Sequence, residues 1–103
     1  MNELILTGNV VRDPDVRYTT DNKAIAKFTL AVYRSKDDTD FIPVTAFGKT
    51  AELIEQYVSK GRKLAVNGNI KTGSYDDNGN KVYTMDVIAE HIEFLNSKEQ
   101  GNG

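Results

Sequence analysis

A chain of 103 residues, 39% apolar and 27% charged, has the size and composition of one folded domain, which excludes a multidomain machine, a disordered tail and a fibre. Cysteine is absent and His91 is the only histidine, so a single chain cannot build a disulfide, a thiolate nucleophile, a common structural zinc site or a two-histidine acid and base pair. No run approaches the roughly 20 apolar residues of a membrane span, and Met1-Asn2-Glu3 lacks the basic start of a signal peptide, so a cytoplasmic location with no membrane contact is expected.

From Glu3 to Val11, Leu4, Leu6, Gly8 and Val10 alternate with Ile5, Thr7, Asn9 and Val11, the period of a strand. Both faces carry apolar residues, so the second face needs cover, and another subunit can supply it. Asp13-Pro14-Asp15 then predicts a turn, since proline lacks the backbone donor. The cleanest alternation follows, from Ala24 to Arg34, with Ala24, Ala26, Phe28, Leu30 and Val32 inward. Polar Ser35 to Asp40 reads as a hairpin tip, and Phe41 to Gly48 as a third strand in which Pro43 marks an edge or a bulge.

Helical spacing occurs once, at Ala51, Leu53, Ile54, Tyr57 and Val58. Thr50 is placed to cap the start, Glu52 and Glu55 lie toward the positive end, and Lys60-Gly61 stops the helix after about three turns. A fourth strand puts Leu64, Val66, Gly68 and Ile70 inward and Lys63, Ala65, Asn67, Asn69 and Lys71 outward. Asp76-Asp77-Asn78-Gly79-Asn80 predicts a tight turn into a fifth strand, from Lys81 to Leu95. There Tyr83, Met85, Val87 and Ala89 share one parity while Ile92 and Phe94 have the other, which predicts a bulge near Glu90 and His91.

The expected organisation is one domain over residues 1–95 and a flexible polar tail over residues 96–103. Three strands, a helix and two more strands give an all-β chain with one short helix. With the helix between strands three and four, this is the order of the five-stranded oligonucleotide-binding (OB) barrel, whose central strands and loops form a groove for single strands.

Charge is distributed to suit such a groove. The segments Arg12–Lys36 and Lys49–Lys71 each carry an excess of three positive charges, although the chain as a whole is at -2. Single-strand binding requires cations that track phosphates and flat rings on which unpaired bases stack. Asp37, Asp38 and Asp40, and likewise Asp76, Asp77 and Asn78, read as hairpin tips rather than metal sites, since no distal glutamate follows at calcium-loop spacing. No metal and no cofactor are expected.

Several segments are similar to the bacterial-type single-stranded DNA-binding proteins. They are Leu6-Thr7-Gly8-Asn9, Asp13-Pro14-Asp15-Val16-Arg17-Tyr18, Phe28-Thr29-Leu30-Ala31-Val32, Ala46-Phe47-Gly48-Lys49-Thr50-Ala51-Glu52, and Lys60-Gly61 ahead of Val66-Asn67-Gly68. The resemblance runs from Asn2 to about Leu95. It implies sequence-independent binding and protection of single-stranded DNA in replication, repair, recombination or DNA uptake, with no enzymatic activity. It also implies a homotetramer in a nucleoid-associated setting. The family's stacking positions fall on Lys36, Phe41 and Tyr75, with a fourth on Phe47; one ring is thus a lysine here, and neighbouring Tyr33 is the candidate to substitute for it. Phe47 reads equally well as core. Lys49 matches a phosphate-contact lysine, Lys71 a basic position on the fourth strand, and Arg34 shares the hairpin arm with Lys36. Tyr18, Tyr57 and Tyr83 read as structural, with hydroxyls reaching surface partners. Ile42 stands where the family often has a polar residue at a subunit contact, and the sequence shows no acidic tip of the kind that recruits replication and repair proteins. Two other classes stay open on the residues alone. One is a protein-interaction barrel such as an accessory primosome subunit; the other is a nuclease with carboxylates and an arginine converging on a metal.

Overall fold

The computed structural model describes residues 1–95; the tail expected over residues 96–103 lies outside the described residues. The elements are β1 (Leu4–Val10), β2 (Asp15–Tyr18), β3 (Ala24–Ser35), β4 (Asp38–Phe47), α1 (Gly48–Tyr57), β5 (Lys63–Asp77) and β6 (Asn80–Phe94). The helix therefore follows the fourth strand rather than the third. The difference is β2, a strand of four residues laid along β3 from Asp15↔Lys27 to Tyr18↔Ala24, in the segment where proline chemistry predicts a turn. Pro14 itself stays outside the ladder, and the strand starts just after it.

The five long strands close a ring. β1 pairs with β5, β5 with β6, β6 with β4, β4 with β3, and β3 returns to β1 through Asn9↔Ala31 and Val10↔Leu30. All pairings are antiparallel except β4 with β6, where Val44, Thr45 and Ala46 run parallel to Val87, Ile88 and Ala89. This is the OB barrel with β2 appended at one edge of β3. Closure depends on Gly8: a Cβ there would overlap the Ala31 carbonyl oxygen and stand 3.1 Å from Leu30 Cγ, so any larger residue would push β1 off β3.

Alternation sets the core. Leu30, Ile54, Leu64, Val10, Val44, Val66 and Val87 are the largest fully buried side chains, each worth about 1.5–3 kcal/mol of burial. Ala51 and Ile54 on one face of α1, with Val58 directly after the helix, join the barrel core. The helix starts at Gly48, with Phe47 at the cap position and no side-chain cap; Thr50 instead donates its hydroxyl to the Glu90 carbonyl at 3.3 Å. Glu52 and Glu55 fall outside the first turn, which holds no acidic residue. Tyr18 joins β2 to the helix by donating its hydroxyl to Glu55 at 2.5 Å. Asp13 accepts the Lys60 amide at 2.8 Å, tying the proline turn to the chain after the helix.

The expected bulge is present: Asn67 pairs with His91 and Gly68 with Ala89, leaving Glu90 extra in β6. It switches parity, so that Ala89 and Ile92 both face the core. Beyond Ile70 and Val87 the β5–β6 ladder continues to Asp77↔Asn80 as an exposed two-stranded arm, about 24 Å long at strand rise. Its tip is a two-residue turn with Asn78 at φ 53° and Gly79 at φ 86°, the positive pair that a tight hairpin requires. Asn2 braces the root of this arm by pairing both ways with Ile70, its Nδ2 donating to the carbonyl at 2.7 Å and its Oδ1 accepting the amide at 2.9 Å. No helix among the described residues is long and apolar enough to cross a membrane.

Candidate nucleic-acid interface

Strand register assigns each candidate side chain to a face. On β3 and β4 the core rows are Ala26↔Ala46, Phe28↔Val44 and Leu30↔Ile42, so the outward rows are Ile25↔Phe47, Lys27↔Thr45, Thr29↔Pro43, Ala31↔Phe41 and Tyr33↔Thr39. Phe41 and Phe47 thus stand on one outward face of one strand, 64% and 53% exposed and about 20 Å apart by strand rise. Exposure removes the core reading of Phe47. Tyr33, 68% exposed, is the diagonal neighbour of Phe41, within reach for two rings.

The outward face continues across the sheet. On β5 and β6 the rows Asn69↔Ile88, Lys71↔Asp86 and Tyr75↔Val82 point away from the core side, so Lys71 and Tyr75 lie on the same face of the β5–β6 arm. Tyr75 is 56% exposed. Lys49 is the second residue of α1, directly after Phe47, and is exposed. Lys36 sits in the two-residue turn Lys36–Asp37 at the tip of the β3–β4 hairpin. Among the described residues none of Lys36, Lys49 and Lys71 is ion-paired, which leaves each ammonium group available to a phosphate.

Arg34 is placed differently. The ladder shifts between Tyr33 and Ser35, making Arg34 the extra residue of a bulge. Its Nε and Nη2 both donate to Asp40 Oδ2, at 3.1 and 2.8 Å. Asp40 is paired with Val32 in the inward row, so the ion pair lies on the opposite face of the hairpin from Tyr33 and Phe41. The structure brings Phe41, Phe47, Lys71 and Tyr75 onto the outward sheet surface and separates Arg34 from them.

Of the other tyrosines, Tyr18 bonds Glu55, and Tyr57 packs edge-on against Phe94 at 6.0 Å, with Arg62 5.0 Å above the Phe94 ring. Tyr83 departs from the structural role expected of it. It is 76% exposed on the other face of the arm from Tyr75, because it pairs with Ser74. Sequence parity alone groups it with buried Val87 and Ala89; only the length of the arm shows that the row has left the core. Among the described residues no cluster of three or more histidine or carboxylate side chains gathers to hold a metal.

An OB barrel whose outward strands carry exposed rings and unpaired lysines has the construction of a single-strand-binding surface. The chain belongs to the single-strand binding protein family, which matches residues 1–95. A single-stranded DNA-binding protein of Clostridium perfringens is 50% identical over 107 aligned positions, which span all of this chain and 69% of that protein. Single-stranded DNA-binding protein 3 of Listeria innocua is 37% identical over 110 positions, again all of this chain and 69% of the relative. A single-stranded DNA-binding protein of Fusobacterium nucleatum is 40% identical over 106 positions, 95% of this chain and 69% of its own length.

Proposed function

We propose that this protein binds and protects single-stranded DNA without sequence preference, in replication, repair, recombination or DNA uptake, and that it acts by binding and not as an enzyme. The observation that carries the reading is the outward surface on which Phe41, Phe47 and Tyr75 stand exposed with Lys71 beside them. Rings stack on any unpaired base and ammonium groups attract any phosphate, so neither selects strongly among sequences. Phe41, Phe47 and Tyr75 are the stacking residues, with Tyr33 taking the part of a ring at the hairpin where Lys36 stands. Lys36, Lys49 and Lys71 are the phosphate contacts. The working location is the cytoplasm, with the nucleoid.

The assembly we infer is a homotetramer. Ile5 is 70% exposed on β1, and β1 pairs with β3 only at Asn9 and Val10, so Leu4 to Thr7 present an open strand edge opposite β5. Apolar surface and unpaired backbone together favour burial against further copies. Tyrosine fluorescence tests stacking, since the chain has five tyrosines and no tryptophan. Oligo-dT quenches it if rings stack on bases, and unchanged emission at saturating DNA refutes the stacking assignment. Light scattering at micromolar concentration tests the assembly, with a monomer as the refuting result.

A further inference from the structure

The ion pair on the β3–β4 hairpin has no packing reason to exist. From Val32 to Phe41 the two strands pair only with each other: β2 reaches β3 at Ala24 to Lys27, β1 reaches it at Leu30 and Ala31, and β6 reaches β4 at Val44 to Ala46. The hairpin end is therefore a two-stranded ribbon open on both edges, with Val32 at its root still packed against the core. Arg34 and Asp40 remain 66% and 37% exposed in their side chains, where an ion pair contributes little to stability. Its effect is on charge. Arg34 is the cation nearest in sequence to exposed Tyr33, and it is answered by Asp40, the residue adjacent to exposed Phe41. The bulge directs the guanidinium toward that carboxylate, and both short bonds end on a single oxygen.

We propose that Asp40 sets the affinity of the hairpin for single-stranded DNA by holding Arg34 in an intramolecular ion pair and so keeping it out of phosphate contact. The proposal rests on the single-strand-binding reading above. Asp40 acts through Arg34 and is a positioning residue. With the carboxylate removed, the long arginine side chain on an open ribbon is free to swing to a phosphate passing Phe41 and Tyr33, and guanidinium forms strong bonds to phosphate oxygens. Hairpin affinity is thus held below what its rings and cations can deliver, which keeps the bound strand exchangeable.

The test is a double-mutant cycle on the whole chain, read by fluorescence anisotropy with labelled oligo-dT over a salt series. Asp40→Asn is expected to bind up to about fivefold more tightly, the range of one exposed ionic contact. It should also steepen the slope of log affinity against log salt by about 0.7, the release from one additional phosphate. In the Arg34→Ala background the same substitution should leave the slope unsteepened, and Arg34→Ala should cost more affinity in Asp40→Asn than in the parent. If Asp40→Asn acts equally in both backgrounds, only a repulsive charge has been removed and the proposal fails; if it changes nothing in either, it fails as well. A parent protein that does not bind oligo-dT overturns the single-strand-binding reading itself, a distinguishable result.

Discussion

Replacing Phe41 and Phe28 by alanine separates a contact ring from a core ring on the same hairpin. Phe41 is 64% exposed, so only about a third of a ring that covers roughly 200 Å² is buried. At about 25 cal/mol per Å² that third is worth about 1.7 kcal/mol, of which the alanine methyl keeps a part, leaving a stability loss of about 1 kcal/mol. Phe28, 6% exposed, should cost about 3–5 kcal/mol because the barrel cannot collapse into the space it leaves. Loss of a stacked base is worth about 1–3 kcal/mol, a fall in affinity of roughly fivefold to 150-fold. Thermal unfolding and oligo-dT titration of the two variants therefore give opposite rankings, with Phe41→Ala the more stable and the weaker binder per molecule folded. If Phe41→Ala lowered the melting temperature as far as Phe28→Ala and bound with parental affinity, the ring would belong to the fold, and the outward register of β4 would be wrong.

Lys71→Ala should weaken binding to every sequence alike and flatten the salt dependence by about 0.7 in slope, read by titration at several salt concentrations; unequal losses on oligo-dT and oligo-dA would contradict a phosphate role. Gly8→Ala forces a methyl against the Ala31 carbonyl and Leu30, so β1 must part from β3 at a cost of about 1–3 kcal/mol, measurable by chemical denaturation. Tyr18 is held above its ordinary value of 10.0, first by the hydrogen bond its hydroxyl donates to Glu55, then by burial, then by the charges of Glu55 and Glu52. Because its folded pKa is raised, its contribution is complete below pH 10.0 and is lost as pH rises through the raised value. Tyr18→Phe should therefore be less stable than the parent near neutrality, with the gap closing in alkaline solution, followed by unfolding curves across pH.

The barrel was legible where one face of a strand is buried, because alternation then has a cause. Ala24 to Val32 is such a segment, and the parity change between Ala89 and Ile92 announced the bulge at Glu90. The same logic explains what was missed. Thr72 to Asp77 cover no core and carry no apolar alternation, so β5 runs farther than its sequence indicates, whereas the start of β6 agrees with the strand expected from Lys81. Asp38 to Asp40 are paired in β4 although their chemistry favours a turn, and β2 is hidden by the proline before it. Among the candidate site residues, the exposure of Phe41 and Tyr75 was readable from their places beside hairpin tips. The fate of Arg34 was not, because its pairing with Asp40 depends on a bulge between Tyr33 and Ser35 that no sequence period encodes.

The most direct test of the central claim is equilibrium binding of labelled oligo-dT, competed by unlabelled single strand or by duplex of equal length, across a salt series. Stacking on Phe41, Phe47 and Tyr75 requires unpaired bases, so single strand should displace the probe at least about tenfold more effectively than duplex, and that preference should persist at salt high enough to screen the phosphate contacts. Equal displacement by both, or a preference that vanishes with salt, would show a merely basic surface and contradict the account.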